Sequence, residues 1–486
     1  MLSKSDYLRY LQCKKCLWLY KHRKDLKPKP STSQEAIFEQ GYKVENYARE
    51  LFPKGVEIED VFSDGDKKTK ELIANGEKVI YQASVMAEGL WAMADIFIKN
   101  GNKWDIYEVK SSTEVKDEHI ADLCFQKIAF EKGGFKIGDT YLIHINNEYV
   151  KNGEIEPKKL LTIEKITEQV DNLRNSIEVD IPKAIKITKD TEEPTIKILK
   201  QCKKPYECPF KEYCFKDIPP YSIYNLTRIN ERKLTNLLDM GIMEICDIPN
   251  DFPLSTAQEN QILTAKSGKP IIETGKIATT LKSLPYPLYF LDYESIAPAI
   301  PIYNGTKPYQ QVCFQYSLHV ITESGTEHYE YLGNGDKNPI PDLLKSMRGN
   351  IGDIGAVIVW NKTFESSRNN EMAEMYPEYK DFLASVNERI FDLMEIFSKQ
   401  YYVHPEFKGR YSIKKVLPVI VPALSYKNLE IQEGGTASLK WFQIANGEIT
   451  GSEKEEIFKN LLKYCELDTL AMVKIWEKLI AQTQHH

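Results

Sequence analysis

"PLYFLDYESI", residues 287–296, is a strongly apolar strand interrupted by two acids, Asp292 and Glu294. Period-two alternation puts both side chains on one face. Two carboxylates on one strand face repel, and burying them without a cation is costly. A metal removes the conflict, so the stretch reads as a strand that carries metal ligands. Downstream, "GAVIVWNKTFESSRNNEM", residues 355–372, reads as an apolar strand followed by a helix, with Asn361 and Glu365 at the junction. "FKNLLKYCELDTLAMVKIWEKL", residues 458–479, is an amphipathic helix with Tyr464 and Asp468 four apart on one face. Asp392, in "RIFDLMEIF", is a second-ranked ligand, because its apolar setting also fits a strand end or a helix cap.

A similar pattern stands upstream. "VIYQASVMAEGLWAMADIFIK", residues 79–99, has the apolar and β-branched character of one or two strands, punctuated at Gly89 and carrying Asp95. "KWDIYEVKSST", residues 103–113, reads as a strand with Glu108 and Lys110 on one face. "DEHIADLCFQKIAFEKG", residues 117–133, has helical periodicity with Gln126 in its middle. "SQEAIFEQGYKVENYARELF", residues 33–52, is also helical and carries Glu45. Paired carboxylates bind a hard cation such as Mg²⁺ or Mn²⁺ through oxygen. The cation lowers the pKa of a bound water, and a lysine holds a phosphate or orients that water. That is minimal equipment for phosphodiester hydrolysis.

"QCKKPYECPFKEYC", residues 201–214, spaces Cys202, Cys208 and Cys214 evenly, and "LQCKKCLWLY" adds Cys13 and Cys16. The trio sits among Lys, Pro and Glu, a poor setting for core packing, and the five together offer more than a four-ligand site needs. By count, four cysteines fit a [4Fe–4S] cluster or zinc equally well. Cys124, Cys246 and Cys313 lie in apolar patterns and are expected in the core.

The 486 residues are enough for two to four domains. A net charge of -6 provides no global basic field, so any nucleic-acid surface is local or metal-neutralised. No 18-residue apolar run is present, and no membrane partner is expected. "MLSKSDYLRYLQCKKC" lacks the apolar core of a secretion signal. Nine cysteines without that signal read as reduced thiols or metal ligands, which implies a cytoplasmic setting. The terminal His485 and His486 are read as a tag remnant and set aside.

The order Glu45, Asp95, Glu108-x-Lys110, Gln126 resembles the PD-(D/E)xK superfamily, in the RecB-like branch that includes the CRISPR adaptation nucleases. The matching stretches are "GYKVE", "MADI", "YEVKSS" and "FQKIAF". Glu45 stands where that branch often has His. The resemblance implies a catalytic set of all five residues, with Glu45, Asp95 and Glu108 on the metal. It also implies an iron–sulfur cluster that ties the first helix to the last segment of the domain. It favours Cys13, Cys202, Cys208 and Cys214 as ligands, because "LQC" matches the first ligand and Cys16 lies where other residues usually sit.

The C-terminal motifs resemble the DEDD 3′–5′ exonucleases of the RNase H-like fold, tyrosine variant. Asp292-Tyr293-Glu294 is the first motif, Asn361 to Glu365 the second, Tyr464 to Asp468 the third. Glu365 stands where the family has Asp, one methylene shorter. The resemblance implies that Asp292, Glu294 and Asp468 hold two divalent ions, with Glu365 in the outer shell, and that Tyr464 orients the attacking water.

The whole chain looks like a RecB-like nuclease fused to a DEDD-type domain first catalogued as a domain of unknown function. The fold expectation is α/β and multidomain. Residues 1–218 form a restriction-endonuclease-like core with the cysteine cluster, and 285–486 an RNase H-like domain. Residues 219–284 form a small helical linker, either a relative of the helix-hairpin-helix or a plain connector. The expected function is a nuclease with two active sites that acts on DNA, single strands or ends. The alternatives are a 3′–5′ exoribonuclease on RNA, or a nucleic-acid-binding platform with one degenerate site. Protein partners are not readable from the sequence.

Overall fold

The computed structural model describes residues 1–62 and 64–484; Ser63, His485 and His486 lie outside them. It is a mixed α/β chain of two compact units. One comprises residues 1–217 with the short pieces 299–301 and 306–309, the other the rest of the chain from Ile218 on. The helical stretch 219–284 clusters with the second unit. Among the described residues no helix is long and apolar enough to cross a membrane.

The first unit is built on one sheet. Its strands are β1 (Leu2–Ser3), β2 (Val56–Glu57), β3 (Val79–Ala87), β4 (Leu90–Asn100), β5 (Lys103–Lys110), β6 (Ile137–Ile145) and β7 (Leu161–Lys165). The spatial order is β2-β3-β4-β5-β6-β7, with β1 added to β4. β3 and β4 form a hairpin whose two turn residues, Glu88 and Gly89, both have positive φ (49° and 79°), the geometry that a two-residue turn needs to match strand twist. Alternation then sorts the two faces. Phe97, Ile106 and Leu142 enter one core with Phe125 and Phe130 of the helix Asp117–Lys132. Ile96, Ile143 and Ile145 enter another with Val44 and Ala48 of the helix Thr32–Glu50. Asp95 and Glu108 share the parity of Phe97 and Ile106, so they face the helix that carries Gln126.

In the second unit, β8 (Ile271–Ile272) and β14 (Tyr402–Val403) make a two-stranded sheet. The main sheet has β9 (Leu288–Ile296), β10 (Val312–Thr322), β11 (Gly325–Leu332), β12 (Ala356–Val359) and β13 (Ile390–Asp392), in the order β11-β10-β9-β12-β13. β9 is central, antiparallel to β10 and parallel to β12, which is why its sequence is nearly all apolar. Gly355 lets β12 begin close beside β9: its φ is 97°, and a Cβ there would stand 2.2 Å from the Pro287 carbonyl oxygen. The long helix Gly451–Gln482 crosses β9 and β10 and buries Leu461, Thr469, Met472 and Trp476. Buried polar bonds fix its register. Gln315 Nε2 donates to the Leu461 carbonyl at 2.9 Å, and Ser317 and His319 meet Thr469 Oγ1 at 2.7 and 2.8 Å.

Cys124 and Cys313 are buried, but Cys246, expected in the core, is exposed. The one-turn helix Ile245–Asp247 buries Ile245, and Ile248 just beyond it, which leaves the cysteine between them facing out.

Candidate functional site

Asp292 and Glu294 leave the same face of β9, opposite Ser317 and Gln315 of β10, and Asp468 comes down from the long helix. One carboxylate oxygen from each lies within 4.8 Å of the other two. Burial, then Asp468, Glu294 and Glu365, push the Asp292 carboxyl well above its ordinary range. Burial and Asp468 raise Glu294 to about 8. Asp468 rises to about 6 through burial, moderated by a hydrogen bond from Tyr426 and by Lys414. Tyr426 Oη donates to Asp468 Oδ1 at 2.5 Å. Lys414 Nζ donates to the Gln432 carbonyl at 2.7 Å and to Tyr464 Oη at 3.1 Å. Burial and the neighbouring carboxylates drive the Tyr464 phenol far upward, so it remains a donor. The helix Gly434–Ala445 opens against this cluster, where a Cβ on Gly434 would stand 3.6 Å from Glu294 Oε2. Its N-terminal dipole favours negative charge there.

Glu365 lies in the first turn of the helix Lys362–Met375, outside the tight group of three. Its Oε2 is buried without a hydrogen-bond partner, and burial raises its carboxyl to about 8. Asp392, the second-ranked ligand, uses both oxygens locally: they accept the main-chain N–H of Lys362 and of Met394, each at 3.0 Å. It fastens the end of β13 to the start of that helix. Three converging carboxylates, an orphaned carboxylate oxygen and one nearby amine form a donor set that suits hard divalent cations.

The first unit treats its carboxylates differently. Glu108 Oε1 accepts from Lys110 Nζ at 2.5 Å and from Lys4 Nζ at 2.8 Å, and Oε2 accepts from Gln126 Nε2 at 2.7 Å. Asp122 joins them, accepting from Lys110 at 2.9 Å and from Gln126 at 3.1 Å. Burial raises Glu108 to about 7, helped by Asp122 and Asp95 and opposed by the two lysines. Asp95 Oδ2 accepts the Val109 N–H at 2.8 Å. Glu45 sits on the helix across the sheet, held by Arg49 at 2.8 Å and by Gln82; burial raises the Asp95 carboxyl, and Glu45 adds to that rise. Among the described residues, no three of these carboxylates close within 4.8 Å. Lysine amines stand where the sequence puts a cation. A capping box places Lys4: Ser3 Oγ accepts the Asp6 N–H at 3.1 Å, and Asp6 accepts the Ser3 N–H at 3.0 Å, which starts a helix at Lys4.

The cysteines also assemble. Cys13 is the joint between the helices Lys4–Gln12 and Lys14–His22. Gln12 Nε2 donates to the carbonyls of Gln201 and Tyr206, both at 2.7 Å, and so docks that joint on the Cys202–Cys214 segment. Burial raises the Cys202 thiol to about 11, with Cys208, Cys13 and Cys214 near enough to add to it. Cys16 is hydrogen-bonded to Cys208 and lowers the Cys208 thiol to about 7. Among the described residues, no three of these sulfurs lie within 4.8 Å of one another.

Lys4, Asp122, Lys414 and Tyr426 complete these sites and were not singled out in the sequence. Asp122 had a signal, four residues before Gln126 on one helical face. The others reach their partners across 104, 50 and 42 residues, with no local pattern to mark them.

Residues 289–412 match a family model described as a domain of unknown function, DUF2779. Similar proteins include the uncharacterized protein UU173 of Ureaplasma parvum, 32% identical over 38% of this chain and 30% of its own length. The uncharacterized protein MG366 of Mycoplasma genitalium is 29% identical over 41% of this chain and 33% of its own. The chain spans about a third of the length of these relatives.

The raised carboxyls set a pH dependence. Glu294 and Glu365 sit near 8 in the folded chain against 4.5 for an ordinary glutamate. The folded chain then binds protons that the unfolded chain has lost, so stability falls as pH rises from about 4.5 to about 8. With EDTA present, the unfolding midpoint of the second unit is expected to drop steadily over that window. Saturating Mg²⁺ should flatten the drop. A midpoint equally insensitive to pH in both conditions would contradict the burial of these charges.

Proposed function

We propose that the chain is a metal-dependent nuclease, with a 3′–5′ exonuclease site in the second unit and a RecB-like site in the first. One observation carries the reading: Asp292, Glu294 and Asp468 converge within 4.8 Å, all three raised by burial, with repulsion from Asp468 adding to the rise of the other two. Strand order and motif placement support an RNase H-like second unit. Asp292, Glu294 and Asp468 would hold Mg²⁺ or Mn²⁺, with Glu365 behind them. The ions, when bound, neutralise the developing charge and activate water for in-line attack on the phosphodiester. Tyr464 Oη, held between Lys414 and Asp468, orients that water. Lys414 adds positive charge beside the scissile phosphate. The substrate is DNA with exposed single strands or ends; RNA is the alternative substrate.

In the first unit Lys110 and Lys4 sit on Glu108, where they meet a phosphate as soon as a cation takes the carboxylate. The same contacts favour a second reading of that unit alone, a lysine-neutralised platform that binds nucleic acid without cutting it. Cys13, Cys202, Cys208 and Cys214 would hold a [4Fe–4S] cluster that closes the unit. Zinc is the alternative occupant, since four thiolates suit either by count.

Strands labelled at the 5′ or 3′ end, in single- and double-stranded DNA and RNA with Mg²⁺ or Mn²⁺, test the two sites separately. Lys110→Ala should leave stepwise release of mononucleotides from the 3′ end. Asp292→Asn should lower that release by several orders of magnitude, because ligands of one metal centre act as a unit. Any cutting left in Asp292→Asn belongs to the first unit and should differ in product pattern. If Asp292→Asn leaves the products unchanged, the second unit is not catalytic. For the cluster, freshly purified protein is expected to be brown. Cys13→Ser and Cys208→Ser should bleach it while Cys16→Ser keeps its iron. Bleaching in Cys16→Ser with retention in Cys13→Ser would move the fourth ligand.

A further inference from the structure

The long helix that carries Tyr464 and Asp468 presents a second stripe of chemistry. His319 of β10 and His328 of β11 are cross-strand partners, with ring centroids 4.4 Å apart. Glu466 reaches them from the helix, and one ligand atom from each of the three lies within 4.8 Å of the other two. We infer that His319, His328 and Glu466 form a binding site for a borderline divalent metal, zinc above all, which clamps the β10–β11 hairpin to the helix Gly451–Gln482.

Hydrogen bonding around the two rings supports this. Thr469 Oγ1 donates to the Glu466 carbonyl at 3.1 Å. Assigning the remaining protons to match, His319 Nδ1 donates to Thr469 Oγ1 at 2.8 Å and Ser317 Oγ donates to it at 2.7 Å. Ser317 Oγ then accepts from His328 Nε2 at 2.9 Å. This assignment serves every group and leaves one lone pair on each imidazole, on His319 Nε2 and His328 Nδ1. Metal-ligating histidines are held in that way, with the far nitrogen donating to a fixed acceptor. His319 is buried, His328 half-buried and Glu466 exposed, which gives an ion a path in from solvent. Two imidazoles with one carboxylate match the ligand preference of zinc, whereas Mg²⁺ takes oxygen alone.

Zinc itself is the probe. The full-length protein, cleared of loosely held metal with EDTA, is titrated with Zn²⁺ against a chromogenic chelator. His328→Ala and Glu466→Gln remove ligands without touching the carboxylate cluster. Asp292→Asn and Cys208→Ser report zinc held at the other two centres. The wild type should hold one zinc equivalent that both ligand variants bind at least about tenfold more weakly. Asp292→Asn and Cys208→Ser should keep that equivalent. Zinc should also raise the unfolding midpoint of the wild type more than that of Glu466→Gln, whose exposed substitution leaves the fold intact by circular dichroism. Equal zinc content and affinity in the wild type, His328→Ala and Glu466→Gln would overturn the site. So would loss of the equivalent only in Asp292→Asn or Cys208→Ser.

Discussion

Mutual repulsion among Asp292, Glu294 and Asp468 is the constraint around which the second unit is arranged. Taking a carboxylate out of water costs several kcal/mol unless it is paired. Here three converge, with Glu365 close behind and Lys414 as the amine they share. The surrounding structure holds them in place despite that cost. β9 presents two of them by alternation on a central strand. Gln315, Ser317 and His319 bond the long helix at Leu461 and Thr469, and so fix the height of Asp468. Tyr426 spends its hydroxyl on Asp468, and a helix N-terminus opens toward Glu294. Such expense is common at functional sites, where binding of a cation releases the strain.

The first unit meets the same constraint with its own lysines. Lys4 and Lys110 bracket Glu108, and Asp122 balances the second amine. Its cluster is closer to neutral. The two units therefore differ in what a divalent ion would gain by binding. In the second it relieves repulsion outright; in the first it must displace an ammonium group.

Local patterns of charge and apolarity were legible in the sequence, because they depend on periodicity. "YEVK" and "LDYE" each put paired side chains on a buried strand face, and Tyr464 with Asp468 shared a helical face, as the alternation required. Partners distant in sequence were not legible. Lys4 reaches Glu108 only because a capping box starts its helix at that point, and Lys414 and Tyr426 arrive from segments without regular pattern. Cys246 misled because isoleucines flank it: a one-turn helix buries the neighbours and turns the residue between them outward. His319 and His328 carried no signal, since their meeting depends on the hairpin register between β10 and β11.

A crystal of the full-length protein soaked in Mn²⁺ and measured at the manganese absorption edge tests the central claim most directly. The expected anomalous peak lies among the carboxylates of Asp292, Glu294 and Asp468, and is lost in Asp292→Asn. An empty cluster at saturating Mn²⁺, with the three carboxyls protonated and bonded to one another, would show that the second unit settles its buried charge with protons and has no metal centre there.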